Sequence, residues 1–281
     1  MKKISYLSFA TIASALLFSC GENLQEQTTT IEEIPTINVE SEVLTYQSDT
    51  TKHVGYLCYD HNVKGKKPGI LLVHEWWGLN DYAKMRAEKL AELGYVVLAV
   101  DMFGNGLTAD NPQDAQKISG VIYGNPSLLK QRMQAAYDAL QSNQEVDKEN
   151  ISALGYCFGG TVSLNAANMG IPFKTVVSFH GGLGGFKATE EMAKSKTLVL
   201  HGAADAFVPE TDVANFKHQM DSVNAPYNFI AYENSTHAFT NKKSDETGKK
   251  FDMPIAYNEQ ADTTSWNDMK LFFEANFPAK R

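Results

Sequence analysis

The stretch Ile151-Ser152-Ala153-Leu154-Gly155-Tyr156-Cys157-Phe158-Gly159-Gly160 decides how the rest of the chain is read. Ile151–Leu154 is a short apolar strand running into Gly155, and Thr161–Asn168 reads as a helix. A nucleophilic cysteine on a sharp turn between a strand and a helix sits in a strained backbone conformation. Glycines at 155 and 159 are required because a Cβ at either would clash with the neighbouring strand or helix. The same turn aims the backbone N–H of Phe158 at the reacting centre, beside a helix N-terminus. A buried apolar thiol would satisfy a lone G-x-C-x-G, but the flanking strand and helix favour a nucleophile.

Working outward, apolar runs at Gly69–His74, Val96–Val100, Thr175–Phe179 and Thr197–His201 read as buried strands, and Phe229–Tyr232 as the last strand. Leu44–Gln47 and His53–Tyr59 are early strands. Helical spacing marks Asp81–Leu93, Leu128–Leu140, Asp212–Asp221 and Thr264–Asn276. The alternation predicts an α/β fold, with a mainly parallel central sheet and helices on both faces. Met102–Gly124 lacks a period and is Gly- and Asn-rich, the composition of a loop framing a site.

An elbow nucleophile needs an acid and a base further along the chain. Asp205 follows the strand Thr197–His201, and His237 follows Phe229–Tyr232, so both stand where such sheets deliver functional groups. Histidine is required because it takes and returns a proton near neutrality, and the acid fixes its tautomer. His74-Glu75-Trp76-Trp77-Gly78-Leu79-Asn80 follows the strand Gly69–His74, where the second oxyanion N–H is expected, here that of Trp76. Glu75 beside a thiol would hold it protonated by like-charge repulsion; the alternative is a solvated carboxylate at a strand end.

Four separated motifs carry a resemblance: GYCFGG at 155–160, Asp205-Ala206-Phe207-Val208-Pro209, His237-Ala238-Phe239 and the HEWWGLN segment. Together they resemble the dienelactone hydrolase family of α/β-hydrolases, from about residue 43 to the C-terminal helix. The resemblance implies an α/β-hydrolase fold, a Cys157–Asp205–His237 triad, and a Glu75 that contacts the resting thiol until substrate releases it. It also implies cleavage of a carboxylic ester or lactone through a thioester, with no cofactor. The family's archetype grips a substrate carboxylate with two arginines, one placed four residues beyond the catalytic histidine. That place is Asn241 here, and the loop corresponding to the other, 110–125, holds only Lys117. A bidentate carboxylate clamp is therefore not expected, and Trp76, Trp77 and Tyr123 point to a less acidic substrate, although paired tryptophans more often serve packing. The rival class is a surface binding or scaffold lipoprotein that keeps the fold with little turnover.

The N-terminus supports such an anchor. Met1-Lys2-Lys3, the apolar stretch Ile4–Phe18 and Leu17-Phe18-Ser19-Cys20-Gly21 resemble a bacterial lipoprotein signal cut before a lipidated Cys20. The expected organisation is a signal at 1–19, a polar tether at 20–42 and a hydrolase domain at 43–281, exported and lipid-anchored to a bacterial membrane. A net charge of −8 argues against nucleic acid as partner. His74, His180 and His201 end strands near the presumed site but lack short ligand spacings, so no metal site is expected.

Overall fold

The computed structural model describes residues 36–48 and 50–277. The signal, Cys20 and the tether up to residue 35 lie outside the described residues. In chain order the elements are β1 (Val39–Ser48), β2 (Thr51–Asp60), β3 (Lys67–Val73), α1 (Asp81–Glu92), β4 (Val96–Val100), α2 (Pro112–Tyr123), α3 (Pro126–Ser142) and β5 (Val146–Tyr156). There follow α4 (Phe158–Asn168), β6 (Thr175–Phe179), a 3-10 turn (Glu190–Lys194), β7 (Lys196–Gly202), α5 (Glu210–Ser222), β8 (Tyr227–Tyr232), α6 (Ser244–Phe251) and α7 (Glu259–Asn276).

The strands form one sheet in the order β1-β2-β4-β3-β5-β6-β7-β8. β1 and β2 pair antiparallel, β2 pairs antiparallel with β4, and every later pairing is parallel. This is the α/β-hydrolase architecture. Because side chains alternate along a strand, each central strand feeds two cores. Ile70, Leu72, Leu154 and Phe179 pack with Ala87 and Leu90 of α1 and Met269 and Phe273 of α7. Leu71, Val73, Ala153 and Val176 face the other way, onto Met133 and Leu140 of α3, Val162 of α4 and Phe216 of α5. Burial on both faces is why these strands are continuous apolar runs.

Two expectations are corrected. β1 begins at Val39, so residues 39–42 belong to the sheet and not to the tether; Glu40, Ser41 and Glu42 are exposed on an edge strand that has no need of apolar side chains. The loop expected at Met102–Gly124 contains the helix α2, started by Asn111, whose side chain accepts from the N–H of Asp114 (2.9 Å), and by Pro112 at the first helical position. The connection after β8 also carries a helix, α6, which the sequence does not announce, and Lys242, Lys243, Lys249 and Lys250 on and beside it are exposed. Several ends also move outward: β5 begins at Val146, α4 at Phe158 and α7 at Glu259.

Candidate active site

The elbow is built by close backbone approach. A Cβ on Gly155 would strike the carbonyl of Gly159, and one on Gly159 would strike the carbonyl of Val73 at the end of β3. Cys157 adopts φ 55°, ψ −117°, a left-handed conformation that a side chain other than glycine's tolerates poorly. Its amide donates to the Phe179 carbonyl at 2.9 Å, and its carbonyl accepts from Gly160 N–H at 3.0 Å, so both flanking peptides are pinned.

Asp205 and His237 reach Cys157 from two laced loops. Ala203 N–H donates to the Tyr232 carbonyl and Ala204 N–H to that of Ser235, both at 2.9 Å. A Cβ on Gly202 would collide with the Ser235 and Thr236 carbonyls, so only glycine lets the loops lie this close. His237 Nε2 stands 3.0 Å from Cys157 Sγ, and its Nδ1 N–H donates to Asp205 Oδ2 at 2.7 Å. Asp205 Oδ1 in turn accepts from Phe207 N–H at 2.9 Å, which fixes the carboxylate plane. Burial alone would depress the His237 pKa, but the charge on Cys157 and the bond to Asp205 outweigh it and hold the imidazole well above its ordinary value. The three side chains singled out in the sequence therefore meet in one hydrogen-bonded line.

Beside them lies a cavity of about 220 Å³ whose walls include Trp76, Trp77, Tyr123, Phe158, Phe207 and Met253. Among the described residues, the amides of Trp76 and Phe158 have no hydrogen-bond acceptor. Trp76 and Trp77 meet edge-on at 5.0 Å, and Tyr123, half exposed, meets Phe158 edge-on at 5.2 Å. Phe207, Met253 and Ile255 complete the wall and were not singled out from sequence. A β-bridge between His237 and Ile255 draws the segment after α6 over the site.

Glu75 also lines the cavity. It is 2% exposed, which excludes the solvated alternative. Its Oε2 accepts from Asn241 Nδ2 at 2.7 Å, while the thiol faces His237. Burial raises the carboxyl's pKa, opposed by the Asn241 bond and by the charges of His237 and Arg86. The residue at the archetype's arginine position thus binds a glutamate of the protein itself. Arg86 is buried in an ion pair with Asp262, and Arg132 Nη1 donates to the Met102 and Phe103 carbonyls, so neither lines this cavity.

The strand-end histidines have separate partners. His74 Nδ1 meets the Glu75 carbonyl, and burial lowers its pKa to about 4. His180 contacts the Cys157 amide. His201 is buried beside Phe229. Among the described residues no group of three or more His, Cys, Asp or Glu side chains is disposed to hold a metal. Cys58 is a free thiol inside β2, its pKa pushed up to about 12 by burial. Asp101 organises the turn after β4, accepting from Val54, Gly104 and Gly106 N–H.

The family model for the dienelactone hydrolase family matches residues 54–277. The chain belongs to the dienelactone hydrolase family. The chain is by class a hydrolase, an esterase or lactonase of dienelactone hydrolase type. Protein usf of Aquifex pyrophilus is 25% identical over 83% of this chain and 97% of its own. A putative carboxymethylenebutenolidase of Aquifex aeolicus is 26% identical over 73% of this chain and 89% of its own. Among solved structures, a dienelactone hydrolase-like promiscuous phosphotriesterase from metagenomic libraries is 32% identical, with a TM-score of 0.80 over 85% of this chain and 99% of its own.

Proposed function

We propose that this dienelactone hydrolase-family protein cleaves carboxylic esters or lactones of low polarity with Cys157 as nucleophile. The observation that carries the reading is the continuous line Cys157 Sγ–His237–Asp205, opening on an apolar cavity. The thiolate attacks the acyl carbon, forming a C–S bond, while the amides of Trp76 and Phe158 receive the developing oxyanion. The C–O bond breaks as the His237 imidazolium gives its proton to the leaving oxygen. His237 then takes a proton from water, the hydroxide attacks the thioester, and the C–S bond breaks to release the acid and restore the thiolate. Asp205 orients the ring and stabilises its charged form throughout.

Substrate preference follows from the wall chemistry. Apart from the catalytic His237, the cavity is lined by no lysine or arginine and contains a buried carboxyl, Glu75, so an anionic acyl group would find no carboxylate clamp there. Trp77 and Tyr123 supply flat apolar surface for a neutral acyl or ring group. The test is hydrolysis of short-chain aryl esters and lactones, neutral against carboxylate-bearing, by the reduced protein and by Cys157→Ala. Loss of turnover in the mutant, with neutral substrates preferred, is expected; equal turnover by Cys157→Ala would overturn the reading.

The N-terminal motif Leu17–Gly21 supports a further proposal, that the enzyme is exported and held on a membrane by lipid at Cys20. Cys20→Ala is expected to release it from the membrane fraction, and unchanged partition would count against the anchor.

A further inference from the structure

Among the described residues, seven other than glycine have positive φ: Asn105, Cys157, His180, Asn224, Asn234, Ala238 and Asp252. Asparagine and aspartate enter this region readily. The other three stand together at the active site. Cys157 is the nucleophile proposed above and Ala238 follows His237, but His180 has no role in that mechanism. Its backbone strain needs a compensating hold.

That hold is visible at both ring nitrogens. Nδ1 accepts the amide N–H of Cys157 at 3.1 Å, and Nε2 lies 2.8 Å from Thr240 Oγ1. An Nδ1 that accepts leaves Nε2 carrying the proton, so Nε2–H donates to Thr240. Thr240 is itself fixed twice over. Its hydroxyl lies 2.6 Å from Tyr82 Oη, and its carbonyl accepts from Arg86 Nη2 at 2.6 Å. Arg86 is in turn anchored by Asp262. The His180 ring packs edge-on to His237 at 5.4 Å and to Phe239 at 5.2 Å, and is wholly buried. Burial and the charge on His237 both push its pKa well down, so it remains the neutral tautomer the geometry requires.

We propose that His180 is a positioning residue, a neutral clamp that grips the amide of Cys157 and ties the nucleophile's backbone, through Thr240, to the Arg86–Asp262 pair between α1 and α7. The proposal rests on Cys157 being the nucleophile. With the Phe179 carbonyl, the clamp gives the Cys157 amide two acceptors and so fixes the direction in which Sγ leaves the backbone. Loosening it turns the thiol away from His237 and from the oxyanion amides without altering the cavity that binds substrate. The loss therefore falls on kcat and not on KM.

The experiment compares His180→Leu, His180→Asn, Thr240→Val and Cys157→Ala in the full chain, with 4-nitrophenyl butyrate as substrate and thermal melting as a check on folding. His180→Leu removes both contacts and is expected to lower kcat by roughly 30–100-fold, with KM changed less than about 2-fold. Asparagine tolerates positive φ and places Oδ1 where Nδ1 was, so His180→Asn is expected to recover kcat to within about 5-fold of the wild type. Thr240→Val, nearly isosteric, cuts only the second contact and is expected to lower kcat by about 3–10-fold. His180→Leu at full kcat beside an inactive Cys157→Ala would overturn the clamp alone. So would His180→Asn losing as much as His180→Leu while both melt like the wild type. Activity in Cys157→Ala would remove the nucleophile reading, and the clamp with it.

Discussion

The two walls of the cavity are built in different ways. The chemical wall, with Cys157, His237 and Asp205, stands on the ends of β5, β8 and β7, where glycines at 155, 159 and 202 admit only one backbone path. The recognition wall, with Trp77, Phe207, Met253 and Ile255, comes from connecting segments, and its contacts are apolar and non-directional. One wall acts through side-chain hydrogen bonds that a single atom can break; the other presents apolar side chains whose packing tolerates exchange of volume. Reactivity and substrate choice are thereby separable in the same 220 Å³.

The sharpest way to break this contrast is Asp205→Asn. It keeps the shape but removes the charge that orients His237, and a fall in kcat of roughly 10²–10⁴ is expected in steady-state hydrolysis. A loss under tenfold would mean that the loop holds the ring without its acid. Met253→Ala addresses the other wall. It enlarges the cavity at a partly exposed position, so the ratio of kcat/KM for octanoyl over butyryl esters is expected to rise roughly tenfold, with little change in melting. An unchanged ratio would place chain-length selection elsewhere.

The smallest effect is expected at Glu75, where the walls meet. Burial raises the folded carboxyl's pKa above its ordinary 4.5. The stability associated with the protonated form is therefore fully present below pH 4.5 and is lost as pH rises through the folded value. Glu75→Gln keeps an acceptor for Asn241 and removes the titration. Its melting temperature relative to the wild type should rise between pH 4 and pH 8, at about 2–4 °C per kcal/mol for a domain of this size. A flat difference would show that the carboxyl does not titrate differently on folding.

The contrast also explains what could be read from sequence. The chemical wall was legible because each of its residues lies at or a few residues beyond the end of a strand, and because Gly155 and Gly159 bracket Cys157 at fixed spacing. The recognition wall was not. α6 buries only Ser244 and Gly248, so it leaves no apolar stripe to detect, and Met253 and Ile255 sit beyond it. α2 buries Ala115, Ser119 and Ile122, a faint pattern, and its clearest mark is the Asn111-Pro112 pair; Asn125-Pro126 opens α3 in the same way. The Glu75–Asn241 bond joins residues far apart in the chain, and neither residue type specifies the other. His180 was noticed only as one of several strand-end histidines, since its hold on an amide depends on a backbone conformation that residue identity does not announce.

The exposed start of β1 has a consequence for how copies of this chain meet. As the outermost strand among the described residues, it turns a row of backbone N–H and C=O groups outward that could template another strand. Glu40 and Glu42 are exposed on it. An antiparallel neighbour of the same sequence would bring four carboxylates into one short ribbon, and their mutual repulsion works against the sheet growing from molecule to molecule. Where many copies are crowded on one surface, those two side chains keep each sheet finite.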